Sequence, residues 1–248
     1  MLNTMKVALI TGSGRRIGAE IASKLHAAGI NVALHYHQSR VEAERLCHQF
    51  NEQRPHSAIL LQADLTDISC LEELVKQAVN VWGRLDVLIN NAARFYKTKI
   101  GQVTESSWDD LLNSNLKAPF FLSQAAADYL RMQQGCIVNI ADVHAKRPMR
   151  DYGVYSISKA GLVMLTKMLA KELGPSVRVN AVSPGTVMLP EGENTLSESV
   201  TEKIINRIAL HRYGTPVDIA KAVLFLVQEA DYMTGEIMVV DGGRSLSM

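Results

Sequence analysis

The alternation of apolar runs with amphipathic stretches constrains the fold of this chain more than any other feature. Apolar runs of strand length recur along the sequence with almost no polar alternation inside them. Strands of that composition belong to sheets covered on both faces, because alternation is typical of sheets with one face in water. The seven runs are VALI at 7–10, NVALHY at 31–36, AILLQ at 58–62, DVLIN at 86–90, CIVNIA at 136–141, VRVNAVS at 177–183 and IMVVD at 237–241.

Segments of helical period separate these runs. They cover Ile17–Ala28, Leu71–Val81, Trp108–Met132, Tyr155–Leu173 and Val217–Val227. Repeated strand–helix units predict the α/β class, here a Rossmann fold with a doubly wound parallel sheet of about seven strands and helices on both faces.

The chain contains no linker-like segment, so we predict a single domain over residues 1–248. The main irregular segment is PGTVMLPEGENTLSESV at 184–200, which follows the sixth strand. Loops that leave the carboxyl ends of such strands carry ligand sites, so we predict that this segment is a substrate lid.

Charge and cysteine content argue against several classes of function. The 26 basic and 25 acidic side chains leave a formal charge of +1, which lacks the electrostatic footprint of a nucleic-acid binder. Cys47, Cys70 and Cys136 form no CxxC pair, so we expect neither a disulfide framework nor a metal site. The run at 7–10 is too short for a signal-peptide core, and no stretch approaches the ~18 apolar residues of a membrane span. We expect a cytoplasmic protein that acts on a small molecule.

A glycine-rich loop, TGSGRRIG at 11–18, lies between the first strand and the first helix. Gly12 permits a tight turn, Gly18 permits close packing of helix and strand, and the helix amino terminus faces the pyrophosphate of a dinucleotide. Sites for NAD usually place an acid at the end of the second strand, where this chain has His37-Gln38-Ser39. Together with the positive charge of Arg15, this predicts NADPH/NADP+ as the cofactor; a solvated polar turn is the alternative.

Tyr155 and Lys159 lie four residues apart at the start of a predicted helix and therefore on one face. A nearby ammonium favours the phenolate and lowers the pKa of a tyrosine from its usual value of about 10. We therefore expect Tyr155 to serve as a proton donor.

The order of motifs along the chain resembles the short-chain dehydrogenase/reductase superfamily. That pattern comprises a TGxxxGxG loop, an NNA strand end at 90–92, a helix asparagine at Asn115 and a YxxxK pair at 155–159. The resemblance covers essentially the whole chain, including Pro184-Gly185 and Asp241-Gly242-Gly243. It implies a homotetramer built on the helices Trp108–Met132 and Tyr155–Leu173.

The same resemblance implies roles for individual residues. Tyr155 would donate the proton, Lys159 would bind the nicotinamide ribose, and Asn115 would hold a proton-relay water. Asp64 would hydrogen-bond the adenine, and Asn91 would lie under the cofactor. The implied cofactor-binding set is Gly12, Arg15, Arg16, Ile17, His37, Gln38, Ser39, Asp64, Leu65, Asn91, Ala92, Tyr155, Lys159, Pro184 and Gly185.

Two departures from the superfamily pattern resemble the pteridine reductases, and the bacterial dihydromonapterin reductases share the segments GRRIG at 14–18 and DGGR at 241–244. Arg16 stands where the superfamily has glycine, and Asp142 stands where it has the catalytic serine. A hydroxyl suits a ketone oxygen, whereas a carboxyl can accept N–H bonds from a pterin or pass a proton through Tyr155. The resemblance implies reduction of pterins or dihydrofolate, with Asp142, Tyr155, Lys159 and Asn115 catalytic and Arg16, Phe95, Asp142 and Tyr155 binding substrate.

Other positions depart from the pteridine reductases themselves. Gln38 and Ala93 replace an arginine and a serine near the cofactor phosphates, and Val187 replaces a polar lid residue. A ketone or 3-oxoacyl reductase of the same superfamily therefore stays open as an alternative. A noncatalytic NADPH-sensing protein is a further alternative, although it would not need the Tyr155/Lys159 pair. For Phe95, Arg16 and Asp142 the competing interpretations are a core ring, an exposed arginine and a helix-capping acid.

Overall fold

Seven parallel strands form one sheet in the order β3-β2-β1-β4-β5-β6-β7 in the computed structural model, which describes residues 5–187 and 198–247. The predicted fold class is confirmed. All seven strands occur where the apolar runs predict them, with end differences of at most one residue. They are β1 Val7–Ile10, β2 Asn31–Tyr36, β3 Ala58–Gln62, β4 Val87–Asn90, β5 Cys136–Ile140, β6 Arg178–Pro184 and β7 Ile237–Val240.

Helices cover both faces of the sheet. Val7 and Leu9 of β1 point to one apolar layer, whereas Ala8 and Ile10 point to the other, as the two-residue period of a strand requires. Helices α3, α5 and α6 contribute to the first layer, and α1, α2 and α8 to the second. The helices are α1 Arg16–Ala27, α2 Arg40–Gln53, α3 Leu71–Trp82, α4 Glu105–Leu112, α5 Ala118–Gln133, α6 Gly153–Leu173, α7 Glu198–Ile205 and α8 Pro216–Gln228.

Three features of the helices differ from the predicted pattern, and the first is α7, which was not predicted and begins inside the expected lid at 184–200. The expected helix over Trp108–Met132 is divided into α4 and α5 by a π-helical segment, Asn113–Lys117. The pattern also missed α2, because this polar helix buries only Ala43 and Phe50.

A chain of polar side chains crosses the sheet beneath α5 and α6. Asn90 of β4 donates to Asn139 Oδ1 of β5 at 2.8 Å and to Ser123 Oγ of α5 at 3.3 Å. Asn139 donates in turn to Thr166 Oγ1 of α6 at 2.9 Å. Asn90 and Asn139 are direct partners in the β4–β5 register, so this chain ties two central strands to two helices.

The strand order reverses between β1 and β4, and ligands of doubly wound sheets bind at the carboxyl end of that crevice. Pro184 ends β6, Glu198–Val200 begin α7, and residues 188–197 of the predicted lid lie outside the described residues. Within the described part of the chain, no helix is both long and apolar enough to cross a membrane.

Candidate active site

The loop after β1 forms a cradle that only small residues allow. Gly12 has a φ of +63°, in the left-handed region that favours glycine. A Cβ on Gly18 would lie 2.2 Å from the Gly12 carbonyl oxygen and 2.6 Å from Asn91 Nδ2. The Asn91 amide donates to the carbonyls of Thr11 and Gly12 at 2.8 and 3.0 Å, so the end of β4 holds the loop in place.

Two residues that the motif analysis did not assign to the site also fix this loop. The Thr11 hydroxyl accepts hydrogen bonds from the backbone N–H groups of Asn91 and Ala92 at 2.9 and 3.0 Å. The buried His35 ring accepts from Gly12 N–H through Nδ1 at 3.1 Å and lies 3.2 Å from the Ala63 carbonyl through Nε2. Burial lowers the pKa of His35 to about 4, so the ring is neutral, and its partners assign the proton to Nε2.

The polar turn after β2 faces the loop after β3. His37 Nε2 lies 3.7 Å from Asp64 Oδ2, and both side chains are partly exposed. Hydrogen bonds from Thr66 hold the pKa of Asp64 below its usual value. Asp64 therefore places a carboxylate beside the turn at 37–39, which contains no acidic residue.

Other members of the predicted cofactor set differ in exposure. A Cβ on Gly14 would lie 2.4 Å from Ser39 Oγ, whereas Gln38 is exposed. The exposed Arg15 lies 3.7 Å from Glu42 of α2, so its charge is partly balanced. The Leu65 side chain is buried in the core, which leaves its backbone as the part able to meet a cofactor.

Asp142 and Tyr155 form the central pair of the site. The Tyr155 hydroxyl donates to Asp142 Oδ2 at 2.7 Å, while Asp142 Oδ1 accepts from His144 N–H at 2.8 Å at the start of a short 3₁₀ turn. Asp142 is thus a helix-capping acid and a partner of the tyrosine at once. Two readings that sequence reasoning treated as alternatives therefore coexist in one side chain.

The environment of Tyr155 differs from the prediction. Burial and the Asp142 carboxylate raise the pKa of Tyr155 well above 10, where a lowered pKa was expected. Lys159 Nζ lies 5.9 Å from the centre of the tyrosine ring and donates to the Ile140 carbonyl at 2.8 Å. Burial lowers the pKa of Lys159 to about 8, against the opposing effect of Asp142. Burial and Asp142 therefore both favour the protonated form of Tyr155.

Asn115 lies in the π-helical segment, a distortion that is common at functional sites. Its amide donates to the Arg94 carbonyl and to Ser158 Oγ, both at 3.0 Å, and accepts from Arg94 N–H at 2.8 Å. These bonds join the loop after β4 to α6. The side chain thus braces the two elements that carry Phe95 and Tyr155.

Phe95 lies at the edge of the site rather than in the core, with 42% of its surface exposed. Its ring stacks on Tyr152 at a centroid distance of 4.6 Å and meets Tyr155 edge-on at 4.7 Å. A half-exposed ring supported from behind can offer its free surface to a planar ligand.

Comparison with known proteins agrees with this geometry. A family profile described as enoyl-(acyl carrier protein) reductase matches residues 12–245. The chain is 36% identical to pteridine reductase 1 of Leishmania tarentolae over 285 aligned positions, with 98% of each chain covered. It is 35% identical to the 3-oxoacyl-(acyl-carrier-protein) reductase FabG of Staphylococcus aureus, over 96% of this chain and 97% of the relative. It is 34% identical to granaticin polyketide synthase putative ketoacyl reductase 2 of Streptomyces violaceoruber, over 97% and 96%.

The chain belongs to the short-chain dehydrogenase/reductase superfamily. Members of this superfamily are oxidoreductases that use nicotinamide cofactors. The residues present fit such a group, because Gly12, Gly14 and Gly18 let the loop pack closely against Asn91, Ala92 and Ser39 just before the amino end of α1, whose N–H groups favour a phosphate. Among the described residues, no cluster of His, Cys, Asp and Glu side chains is arranged to hold a metal ion.

Arg16 stands where the short-chain reductase pattern has a glycine. The backbone at this position has the left-handed conformation that favours glycine. Arg16 has a φ of +55° and is exposed at the first residue of α1, whereas the next residue, Ile17, packs partly against the core. At the other side of the site, a Cβ on Gly185 would lie 2.5 Å from Asp241 Cβ, so Pro184-Gly185 packs tightly against the chain after β7.

Proposed function

We propose that this protein is an NADPH-dependent pteridine reductase, which reduces oxidised pterins, dihydropterins or dihydrofolate to their tetrahydro forms. The observation that carries the proposal is the 2.7 Å hydrogen bond from Tyr155 to Asp142, together with the half-exposed ring of Phe95 that meets Tyr155 edge-on. A carboxyl group beside the tyrosine suits ring nitrogens and amino groups, and the aromatic edge suits a flat bicyclic ring.

The reaction converts a ring C=N bond into CH–NH. Bound NADPH would supply the hydride that reaches the ring carbon. Tyr155 would give its proton to the ring nitrogen, and Asp142, hydrogen-bonded to the same hydroxyl, would supply a proton in turn when protonated. Because the pKa of Tyr155 is raised, the phenol is fully protonated at neutral pH before each turnover.

Several residues would hold the substrate and cofactor for this step. Asn115 braces the site, and Lys159 would meet the nicotinamide ribose. Arg16 would lie between the pyrophosphate and the polar edge of the pterin. Arg15 and the turn His37-Gln38-Ser39 would receive the 2′-phosphate of NADPH. The remaining cofactor contacts would come from Gly12, Ile17, Asp64, Leu65, Asn91, Ala92, Pro184 and Gly185.

The experiment follows NADPH oxidation with dihydrobiopterin, dihydromonapterin, dihydrofolate and an acetoacetyl thioester in parallel. We expect turnover of at least one pterin and at least tenfold tighter binding of NADPH than of NADH, about 1.4 kcal/mol, because the turn after β2 lacks an acid for the ribose hydroxyl. Turnover of the thioester alone would refute the pterin assignment.

A 3-oxoacyl reductase is the second candidate, supported by the similar identity of the chain to FabG. Asp142 counts against it, because a ketone oxygen needs a hydrogen-bond donor, whereas Asp142 Oδ2 occupies the Tyr155 hydroxyl as its acceptor. The same parallel assay separates the two functions.

A further inference from the structure

Two loops beside the candidate active site carry positive charge that the mechanism does not use. Lys97 and Lys99 lie on the loop after β4, and Lys146 and Arg150 lie on the loop after β5. We call these four exposed side chains the cationic rim. None of the four forms an ion pair within the part of the chain that the structure describes.

The two loops are fixed to each other and to the site. Thr98 N–H donates to the Asp151 carbonyl at 2.6 Å, and Val154 N–H donates to the Thr98 hydroxyl at 3.2 Å. Met149 packs against the cluster that contains Tyr152 and Tyr155. The rim is therefore held in place beside the catalytic tyrosine.

Chain distances keep the rim close to the reacting groups. Lys97 follows Phe95 by two residues, Lys146 follows Asp142 by four, and Arg150 precedes Tyr155 by five. Even fully extended, these spans reach only about 7, 14 and 17 Å. A substrate that stacks on Phe95 would thus have the rim within reach of its side chain.

The clustering of these charges calls for a negatively charged partner. The whole chain carries a formal charge of only +1, yet two joined loops carry four cations without ion-pair partners, against the two acids Asp142 and Asp151. Like charges held together repel, and a bound anion removes that repulsion. A neutral pterin ring offers no such charge, but its side chain can.

We infer that the cationic rim binds a multiply anionic tail on the substrate, so that the preferred pterin carries carboxylates or phosphates at the end of its side chain. This inference rests on the proposed function. It names the substrate class within that function, with the ring at Phe95 and Tyr155 and the tail at the rim.

The test compares two double variants, Lys97→Gln/Lys99→Gln and Lys146→Gln/Arg150→Gln, with the wild type. The matched control is Lys6→Gln/Lys221→Gln, which removes the same charge from exposed positions before β1 and on α8. Substrates are dihydrobiopterin, whose tail is neutral, dihydrofolate, whose tail carries two carboxylates, and a phosphorylated dihydropterin. The readout is the ratio of kcat/KM for each anionic substrate to kcat/KM for dihydrobiopterin.

We expect the wild type to favour an anionic substrate, and each rim variant to lower the ratio about tenfold, since individually weak exposed ion pairs act together. The control should keep the wild-type ratio. Added salt should lower the ratio of the wild type, because salt screens exposed charges. An effect on dihydrofolate alone identifies carboxylates, and an effect on the phosphorylated substrate alone identifies phosphate.

Equal ratios in the wild type, rim variants and control, with all pterins turned over, would overturn the rim inference and leave the proposed function standing. Turnover of the acetoacetyl thioester with no pterin reduced would overturn both. If the rim variants lose activity only toward a thioester carried on an acidic carrier protein, the inference is also overturned. The rim would then be assigned to binding that protein.

Discussion

At the scale of single residues, Asp142 uses its two carboxylate oxygens for different purposes. Oδ1 accepts from His144 N–H and orders the turn after β5, while Oδ2 accepts from the Tyr155 hydroxyl. The first bond fixes the direction in which the second oxygen points. An asparagine at position 142 can still accept the hydrogen bond from His144 N–H and preserve this turn, but it carries no negative charge beside Tyr155.

Asp142→Asn should therefore lower pterin turnover by ~10²-fold or more, the scale of one general acid–base contribution, while NADPH binding is retained. Because the carboxylate raises the pKa of Tyr155, its removal lowers that pKa, and the high-pH decline of the rate should move to lower pH. Steady-state rates across a pH series measure both effects.

Asp142→Ser provides the comparison, since it restores the superfamily hydroxyl. It should also lose pterin turnover and show a displaced pH profile. Wild-type rates with an unshifted profile in both variants would mean that Asp142 only caps the turn.

His35 links the glycine loop to acid stability. Its pKa is about 4 in the folded chain, so between pH 6.5 and pH 4 the unfolded chain binds a proton that the folded chain does not. The free energy of unfolding must therefore fall as pH decreases through that range. Over the whole range from pH 6.5 to pH 4, the free energy of unfolding falls by about 3 kcal/mol because of His35.

His35→Asn keeps an acceptor for Gly12 N–H, loses the contact with Ala63 and removes the titrating ring. We expect a loss of about 1–3 kcal/mol near pH 7, from the missing hydrogen bond and packing. The difference in free energy of unfolding between wild type and variant should be about 2 kcal/mol smaller near pH 5. Only the wild type has the buried His35 ring, whose protonation favours the unfolded chain as pH falls. Urea unfolding at both pH values tests this, and a constant gap would contradict it.

At the scale of elements, the first turn of α1 combines a charged side chain with a strained backbone. Left-handed φ values cost non-glycine residues about 1–2 kcal/mol, which glycine avoids. Arg16→Gly should therefore be about 1 kcal/mol more stable than Arg16→Ala, which lacks the same side chain but keeps the strain. Urea unfolding compares the two, and both variants should bind the pterin equally weakly. Equal stability would show that the turn relaxes in Arg16→Ala.

The elements also show what the sequence could predict. The strands were predictable because each is apolar on both faces, and Asp142 and Tyr155 were recognised from their place in known motifs. The π-helical segment at Asn115 was not, since hydrophobic periodicity cannot detect one added residue in a turn. The raised pKa of Tyr155 was also missed, because it depends on burial and on the 2.7 Å approach of Asp142. His35 looked like one more residue of an apolar strand.

At the scale of the whole molecule, α5 and α6 leave apolar side chains in solvent. Phe120, Ile157 and Met164 are 37%, 50% and 65% exposed. We propose that these helices pair between copies in a homotetramer. Light scattering should then give four times the chain mass of 27.3 kDa. A wild-type monomer at micromolar concentration would reject the proposal.

Ile157→Glu tests the surface directly, because it would place a charge in the proposed interface and should yield smaller species. Val41→Glu is the control, since Val41 is 76% exposed on α2 at the opposite side of the sheet. It should keep the wild-type mass.

The amide pair Asn90–Asn139 has a consequence for how faithfully the site assembles during folding. A one-residue slip between β4 and β5 would misplace both amides and leave them without hydrogen-bond partners in an apolar layer. Burying unpaired amides costs free energy, so the misaligned register is disfavoured. Asn91 follows one amide directly, and Asp142 follows the other by three residues. The pair thus fixes the strand register that places Asn91, which holds the glycine loop, and Asp142 at the same end of the sheet.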